Sequence, residues 1–448
     1  MAETRKRVYH YIYDEQVGQS ERNHEGTVQH SFQFKTKSFE IDSEDLFDEE
    51  IQLFAFPIHY LHHIDSILRT FGFREDPFYF FHQCKEVIQA PERHLDEKGN
   101  GKMSFQAHFH NFPFSVSSIN DTAIVVVGLN VKPGQKEGVP KDYWLTGYIH
   151  ANQFEFQPLG EPEKWKGYYY NMLRISERKV NGQEVYRRKK MFTMFFAILN
   201  DLVKQNDVHF IYASMGRENV AIKEALHRSA EQHGRHYERI PFRIFSKFNK
   251  FWGKRKYEKQ LVNITHDEAA LKKMYQMVHE RMSHYLFYHH IDETVFLNMV
   301  RQIAEYSKSS GVWMTTDEQG NIKAATIAIN LGDYFQMDID NAKGILKIVQ
   351  WLKLFHRFLY FTMTVGNVEE VDMLYRGLAS YYQRNYSVQM AFLPSWEADP
   401  YLKVKKSFLV DEYIYFLIAD RPEELERFKQ VSKKGGEHMN LFVDQPII

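Results

Sequence analysis

A chain of 448 residues with 57 Lys and Arg against 58 Asp and Glu is too long for one ordinary hydrophobic core, and too evenly charged for a general nucleic-acid binder. Its apolar content of 44% suits a globular protein, and its longest apolar runs, such as 191–199, fall short of the roughly 20 residues that span a bilayer. Cys84 is the only cysteine, which excludes an intrachain disulfide framework.

No apolar stretch follows the basic Arg5-Lys6-Arg7 start, so the expectation is a cytoplasmic protein with no membrane partner and no clear nucleic-acid partner. Residues 1–50 read as a polar extension ending in acidic residues, with a hairpin suggested by the alternation of His30–Lys35. Phe54–Thr70 has helical periodicity, and Phe78–Gln89 reads as a second helix. Strands are expected at Ser104–His110, Ala123–Leu129 and Tyr143–Gln157, then a helix at Lys189–Lys204. A short strand at Val208–Ala213, a helix at Val220–His233 and a strand at Arg239–Phe245 follow. Ser246–Lys259 interleaves cations with aromatics. It reads as a linker with rings tucked onto a domain, or as a contact for an anionic partner.

The second half has helices at Asp267–His279 and Asp292–Ser307 and a hairpin of Gly311–Thr316 with Asn321–Ile329. Next come a strand at Asp333–Ile339, a helix at Ala342–His356, a strand at Arg357–Val365 and a helix at Glu369–Tyr382. Strands at Tyr386–Leu393 and Leu409–Ile418 close it. Two segments share a pattern: Tyr212–Asn219 and Thr362–Asn367 each run an apolar strand into a Gly/Asn turn ahead of an amphipathic helix. Such a turn is where α/β folds hold anionic cofactors.

Helices, an antiparallel meander and then strand–helix–strand–helix–strand resembles the GNAT superfamily of acyl-CoA-dependent N-acyltransferases, over roughly 50–250 and again over 260–420. The resemblance implies an α/β fold (α+β, mixed sheet) with two GNAT-like domains in tandem. It divides the chain into an extension (1–50), a domain with a degenerate cofactor loop (51–250), a domain holding the cofactor site (260–420) and a tail (421–448). In that superfamily a Gln/Arg-x-x-Gly-x-Gly/Ala loop offers backbone N–H groups to the CoA pyrophosphate. Asn341-Ala342-Lys343-Gly344-Ile345-Leu346 keeps one glycine of that pattern, and Lys343 adds charge. Arg187-Arg188-Lys189-Lys190 stands in the same place in the first copy without glycine, as either a charged phosphate site or an exposed basic stretch.

A second signature, Asn-x-x-Ala-Ile-x-Leu-Tyr, is matched in part by Asn367, Val371, Leu374 and Tyr375, and by Asn219, Ala221 and Ile222. The resemblance implies that Asn341, Lys343, Gly344, Ile345 and Asn367 hold acetyl-CoA or another acyl-CoA, with Arg187, Arg188 and Asn219 as the counterpart in the first copy. It implies that Tyr375 protonates the leaving thiolate while a small-molecule or peptide amine attacks the thioester. Position 225 or 226 of the first copy carries Ala or Leu where Tyr would stand; His227 or Tyr212 would have to substitute. Asp338, Asp340 and Glu155 lie near strand ends, and no general base is assigned.

His59, His62 and His63 with His108 or His110 could hold a metal, but no Cys-x-x-Cys or His-Glu-x-x-His accompanies them, and no metal is expected. Phosphate-loop, dinucleotide-binding and nucleophile-elbow motifs are also missing. The rival to an acyltransferase is a non-catalytic protein that keeps the fold for binding or scaffolding.

Overall fold

The computed structural model describes residues 5–14, 21–22, 28–29, 34–43, 51–88, 92–95, 101–109, 123–132, 138–156, 163–176, 179–180, 183–184, 188–206, 208–216, 220–232, 234–282, 292–340, 347, 357–395, 401, 409–419 and 421–427. The chain is mixed α/β, as the sequence predicts, and separates into two compact units.

The first unit comprises residues 1–90, 120–153 and 168–207. Strands β1 (Arg5–Asp14) and β4 (Phe34–Ser43) pair antiparallel from Arg5↔Ser43 to Asp14↔Phe34, with the short β2 (Glu21–Arg22) and β3 (Val28–Gln29) between them in sequence. β5 (Ile51–Pro57) runs parallel to β1 and antiparallel to β8 (Ile124–Val131), which pairs with β9 (Tyr143–Phe156). β10 (Trp165–Ile175) follows β9 in the sheet order, and β11 (Lys179–Val180) pairs with β12 (Gln183–Glu184). The described helices are α1 (Ile64–Thr70), α2 (Pro77–Ile88) and α3 (Arg188–Gln205).

Three expectations change here. Phe54–Pro57 is strand rather than helix: Phe54, Ala55 and Phe56 are all buried, and a short apolar run buried on both faces carries no period that separates strand from helix. The helix signal belongs only to 58–70, a 3₁₀ turn over Ile58–His63 leading into α1. The unit also starts with strands, not helices. The aromatic run Trp165–Tyr170 opens β10, a further sheet strand that the sequence reading does not anticipate, with Trp165 and Tyr168 buried.

The second unit comprises residues 91–119, 154–167 and 208–448. Its strands lie in the order β15 (Val262–Asn263), β16 (Gly311–Thr316), β17 (Ile322–Asn330), β19 (Phe358–Gly366), β20 (Met390–Ser395), β14 (His236–Phe248), β21 (Leu409–Ala419) and β13 (Phe210–Gly216). β16 and β17 form the expected hairpin, tightened by Asp317, whose carboxylate accepts from the Gln319 and Asn321 backbone. β21 pairs antiparallel with both β13 and β14, so the last described strand lies between two strands from far earlier in the sequence.

The described helices of the unit are α4 (Val220–Gln232), α5 (Asn249–Trp252), α6 (Arg255–Glu258), α7 (Glu268–Met282), α8 (Glu293–Tyr306) and α9 (Val368–Tyr386). Asp292 caps α8 and Asn367 caps α9, each accepting from a backbone N–H three residues on. Val371, Leu374, Tyr375, Leu378 and Tyr382 of α9 share one buried face packed on Phe361, Ala328, Leu393 and Trp252.

β18 (Phe335–Asp340) departs from the expected meander. It pairs with β7 (Gly101–Phe109), which also pairs with β6 (Glu92–Leu95), in a separate three-stranded sheet. β17 instead pairs directly with β19, so β18 is an excursion between two adjacent strands. The alternation of Phe335–Asp340 specifies a strand but not its partner, and β7 lies far away in sequence.

Candidate functional site

The one described helical crossover between adjacent parallel strands is β19–α9–β20. The two strands pair only at Phe358↔Met390, Leu359↔Ala391 and Tyr360↔Phe392. Beyond that point β19 continues to Gly366 along β17, and β20 continues to Ser395 along β14. Their facing edges therefore part at Phe361, at the carboxyl end of β19, the side on which open α/β sheets take ligands.

A bulge marks the same stretch. The β17–β19 register shifts between Ala325 and Ile327, and Met363 adopts a positive φ of 49° that few non-glycine residues occupy. A chain of hydroxyls fixes it: Tyr375 donates to Thr364 Oγ1 (2.8 Å), Thr364 and Thr326 share a 2.7 Å contact, and Thr326 donates to the Thr362 carbonyl (3.1 Å). All of these side chains except that of Thr362 are buried, so each hydroxyl needs the partner it has. Phe361 stacks on Tyr375 at 4.5 Å between ring centroids.

Gly366 ends the strand with φ 128°, a conformation side chains rarely adopt, and a Cβ there would meet the Lys323 carbonyl oxygen at 2.6 Å. Its own carbonyl accepts from Arg281 Nη1 (2.9 Å) and from the Tyr401 hydroxyl (2.6 Å), while Arg281 also contacts that hydroxyl and lies over the Tyr401 ring. Asn367 follows as the α9 cap, its Oδ1 accepting from Glu370 N at 2.9 Å. Glu369 and Glu370 occupy the first turn, where the helix dipole favours them, and Glu370 pairs with Lys323 at 3.0 Å.

Of the expected residues, Asn367 caps α9 and Tyr375 lies two turns further along the same helix. Asn341, Lys343, Gly344 and Ile345 lie outside the described residues, as do Arg187 and Asn219. Arg188 begins α3. Glu155 pairs with Lys164 at 3.3 Å, and His227 with Glu231 at 3.2 Å. Among the described residues no three His, Cys, Asp or Glu side chains gather to hold a metal, and no helix is long and apolar enough to cross a membrane. Thr326, Thr364, Arg281 and Tyr401 escape sequence reasoning, because bulges and long-range contacts carry no local motif.

No family model matches the chain, and no curated protein sequence matches it. Among solved structures it is similar to Saccharomyces cerevisiae N-myristoyltransferase with bound myristoyl-CoA, at TM-score 0.47 and 9% identity, covering 76% of each chain. It is also similar to a conserved protein of unknown function from Enterococcus faecalis V583, described as a probable N-acyltransferase, at TM-score 0.40 and 9% identity, covering 82% of this chain and 72% of that one. Likeness at this level transfers no residue, ligand or activity.

Proposed function

We propose that the protein is an acyl-CoA-dependent N-acyltransferase of GNAT-like, tandem architecture, with its donor site in the second unit. The observation that carries this reading is the parting of β19 from β20 after three residue pairs. An extended ligand bearing amides, such as the pantetheine arm of CoA, suits the space between two parting parallel strands, where it can lie along a strand as an added strand would.

The acceptor is a small-molecule or peptide amine attacking as the free base. Its nitrogen forms the new bond to the thioester carbon and gives up its extra proton to solvent, the carbon–sulfur bond breaks, and the thiolate takes a proton. Tyr375 is the proposed donor of that proton, which requires its hydroxyl to leave Thr364 Oγ1 for the sulfur. The acidic first turn of α9 disfavours a polyphosphate there, so the pyrophosphate is assigned to Asn341, Lys343, Gly344 and Ile345, with Asn367 reaching the pantetheine arm. Acetyl is the first acyl group to test. Arg187, Arg188 and Asn219 remain the alternative anion site.

Thermal unfolding with CoA, acetyl-CoA and longer acyl-CoAs tests this, because a ligand that binds only the folded state raises Tm. The expected result is a rise with at least one acyl-CoA that Gly344→Glu abolishes and Arg188→Glu leaves intact. No rise with any of them at millimolar concentration refutes the reading and leaves the non-catalytic binding or scaffold protein.

A further inference from the structure

The basic, aromatic segment 246–259 meets that site only through Trp252, whose buried ring lies 6.1 Å from the ring of Tyr375. Its residues divide sharply between the protein body and solvent. Trp252 is buried in the core under α9, and Lys247 is buried with its ammonium 4.2 Å from the centre of the Trp252 ring. The Lys254 N–H donates to the Arg376 carbonyl of α9 at 2.9 Å. Glu258, the one carboxylate of the segment, is turned onto α9, where it accepts from Ser380 Oγ (2.5 Å) and pairs with Arg384 (2.5 Å). The segment is therefore fixed to the second unit at three points rather than strung as a loose linker.

The charged side chains left outside are all cationic, and they flank one exposed apolar ring in the sequence. Lys250, Lys254, Arg255, Lys256 and Lys259 are exposed, and none of them forms an ion pair with a carboxylate among the described residues. Phe251 is 77% exposed, in direct sequence contact with the buried Trp252. The chain as a whole carries a formal charge of −1, so this density of positive charge is a local feature and not a spill-over of composition.

We propose that Phe251 and the surrounding cations form a docking surface for an anionic phospholipid membrane, a peripheral contact that involves no spanning segment. A single exposed aromatic rimmed by Lys and Arg suits an interface, where the ring enters the acyl boundary and the cations meet lipid phosphates. A single-stranded nucleic acid needs successive open rings to stack on. Here only Phe251 is open: Trp252 is buried, the Tyr257 ring is faced by the Lys256 ammonium at 4.7 Å, and Phe248 lies edge-on to Phe251. The surface is independent of acyl transfer, and its test reads no activity.

Co-sedimentation of the full chain is measured with vesicles of phosphatidylcholine alone and with vesicles of phosphatidylcholine and phosphatidylserine. Binding is expected only with phosphatidylserine, weakening as salt rises, and falling about fivefold for each of Lys254→Gln and Arg255→Gln. Phe251→Ala weakens it further, whereas Phe251→Trp retains it and gains fluorescence quenching by brominated lipid relative to the wild type. All these positions are exposed, so the variants fold, which unchanged circular dichroism and Tm verify. Three results overturn the proposal: no sedimentation with phosphatidylserine at low salt, equal binding to both vesicle types, or tighter binding to an oligoribonucleotide than to the anionic vesicles.

Discussion

Gly366→Ala probes the junction of β19 and α9 most directly. A Cβ at this position would lie 2.6 Å from the Lys323 carbonyl oxygen and 2.7 Å from both Ala324 Cα and Ala324 Cβ, all parts of a paired strand that cannot step aside. Overpacking against backbone costs about 1–3 kcal/mol. Holding a side chain at φ 128° adds about 1–3 kcal/mol. The stiffer unfolded chain of an alanine variant returns about 0.5–1 kcal/mol. The net loss expected is about 1–5.5 kcal/mol, or roughly 2–20 °C in Tm for a unit of this size. Urea unfolding monitored by tryptophan fluorescence measures it. Gly320→Ala is the control: Gly320 has φ 82° but nothing within 4 Å of a Cβ, so only conformational strain of about 1 kcal/mol applies. Equal losses for the two variants, or a loss below about 1 kcal/mol for Gly366→Ala, would refute the steric argument.

Tyr375→Phe removes the donor to Thr364 but keeps the stack on Phe361, so stability should fall by only about 0.5–1.5 kcal/mol in chemical denaturation. If Tyr375 protonates the thiolate, kcat falls much further than that loss of stability explains, with KM for the acyl-CoA unchanged; an unchanged kcat removes it from the chemistry. Asp333→Ala strips the acceptor from Ser307, Ser309 and Asn330, three buried donors at the turn where the chain leaves β17. Calorimetry should show a loss of about 2–4 kcal/mol. Burial lowers the Lys247 ammonium to about 8, with Asp372 opposing the shift, so above that pH the unfolded chain binds more protons at this site than the folded one. The contribution of this site to stability therefore rises with pH from about 8 towards the ordinary lysine value. Lys247→Met should flatten that rise in urea titrations at successive pH values, and an identical slope in wild type and variant would refute it.

The elements of the second unit were the most legible, because their signals are local. Asp292 and Asn367 are side chains that satisfy helix N–H groups within three residues, and Asp317–Asn321 closes a turn within five. Strand partnership is a different kind of information. Nothing within Phe335–Asp340 says that it will pair with Gly101–Phe109, and nothing in Ile51–Pro57 distinguishes a buried strand from the start of a helix. The candidate site divides along the same line: Asn367 and Tyr375 could be found from a motif, whereas the parting of β19 and β20, the bulge at Met363 and the Arg281–Tyr401 grip on Gly366 arise from contacts between distant segments.

The placement of β21 sets a limit on when this protein can become whole. β13 and β14 each use Leu409–Ala419 as an antiparallel partner, so during synthesis both carry an open edge until residues 409–419 have left the ribosome. A chain ending before position 409 would keep both of those edges, side by side and each ready to accept a strand from another molecule. Loss of the final segment should therefore show itself as association between chains well before it shows itself as a missing function.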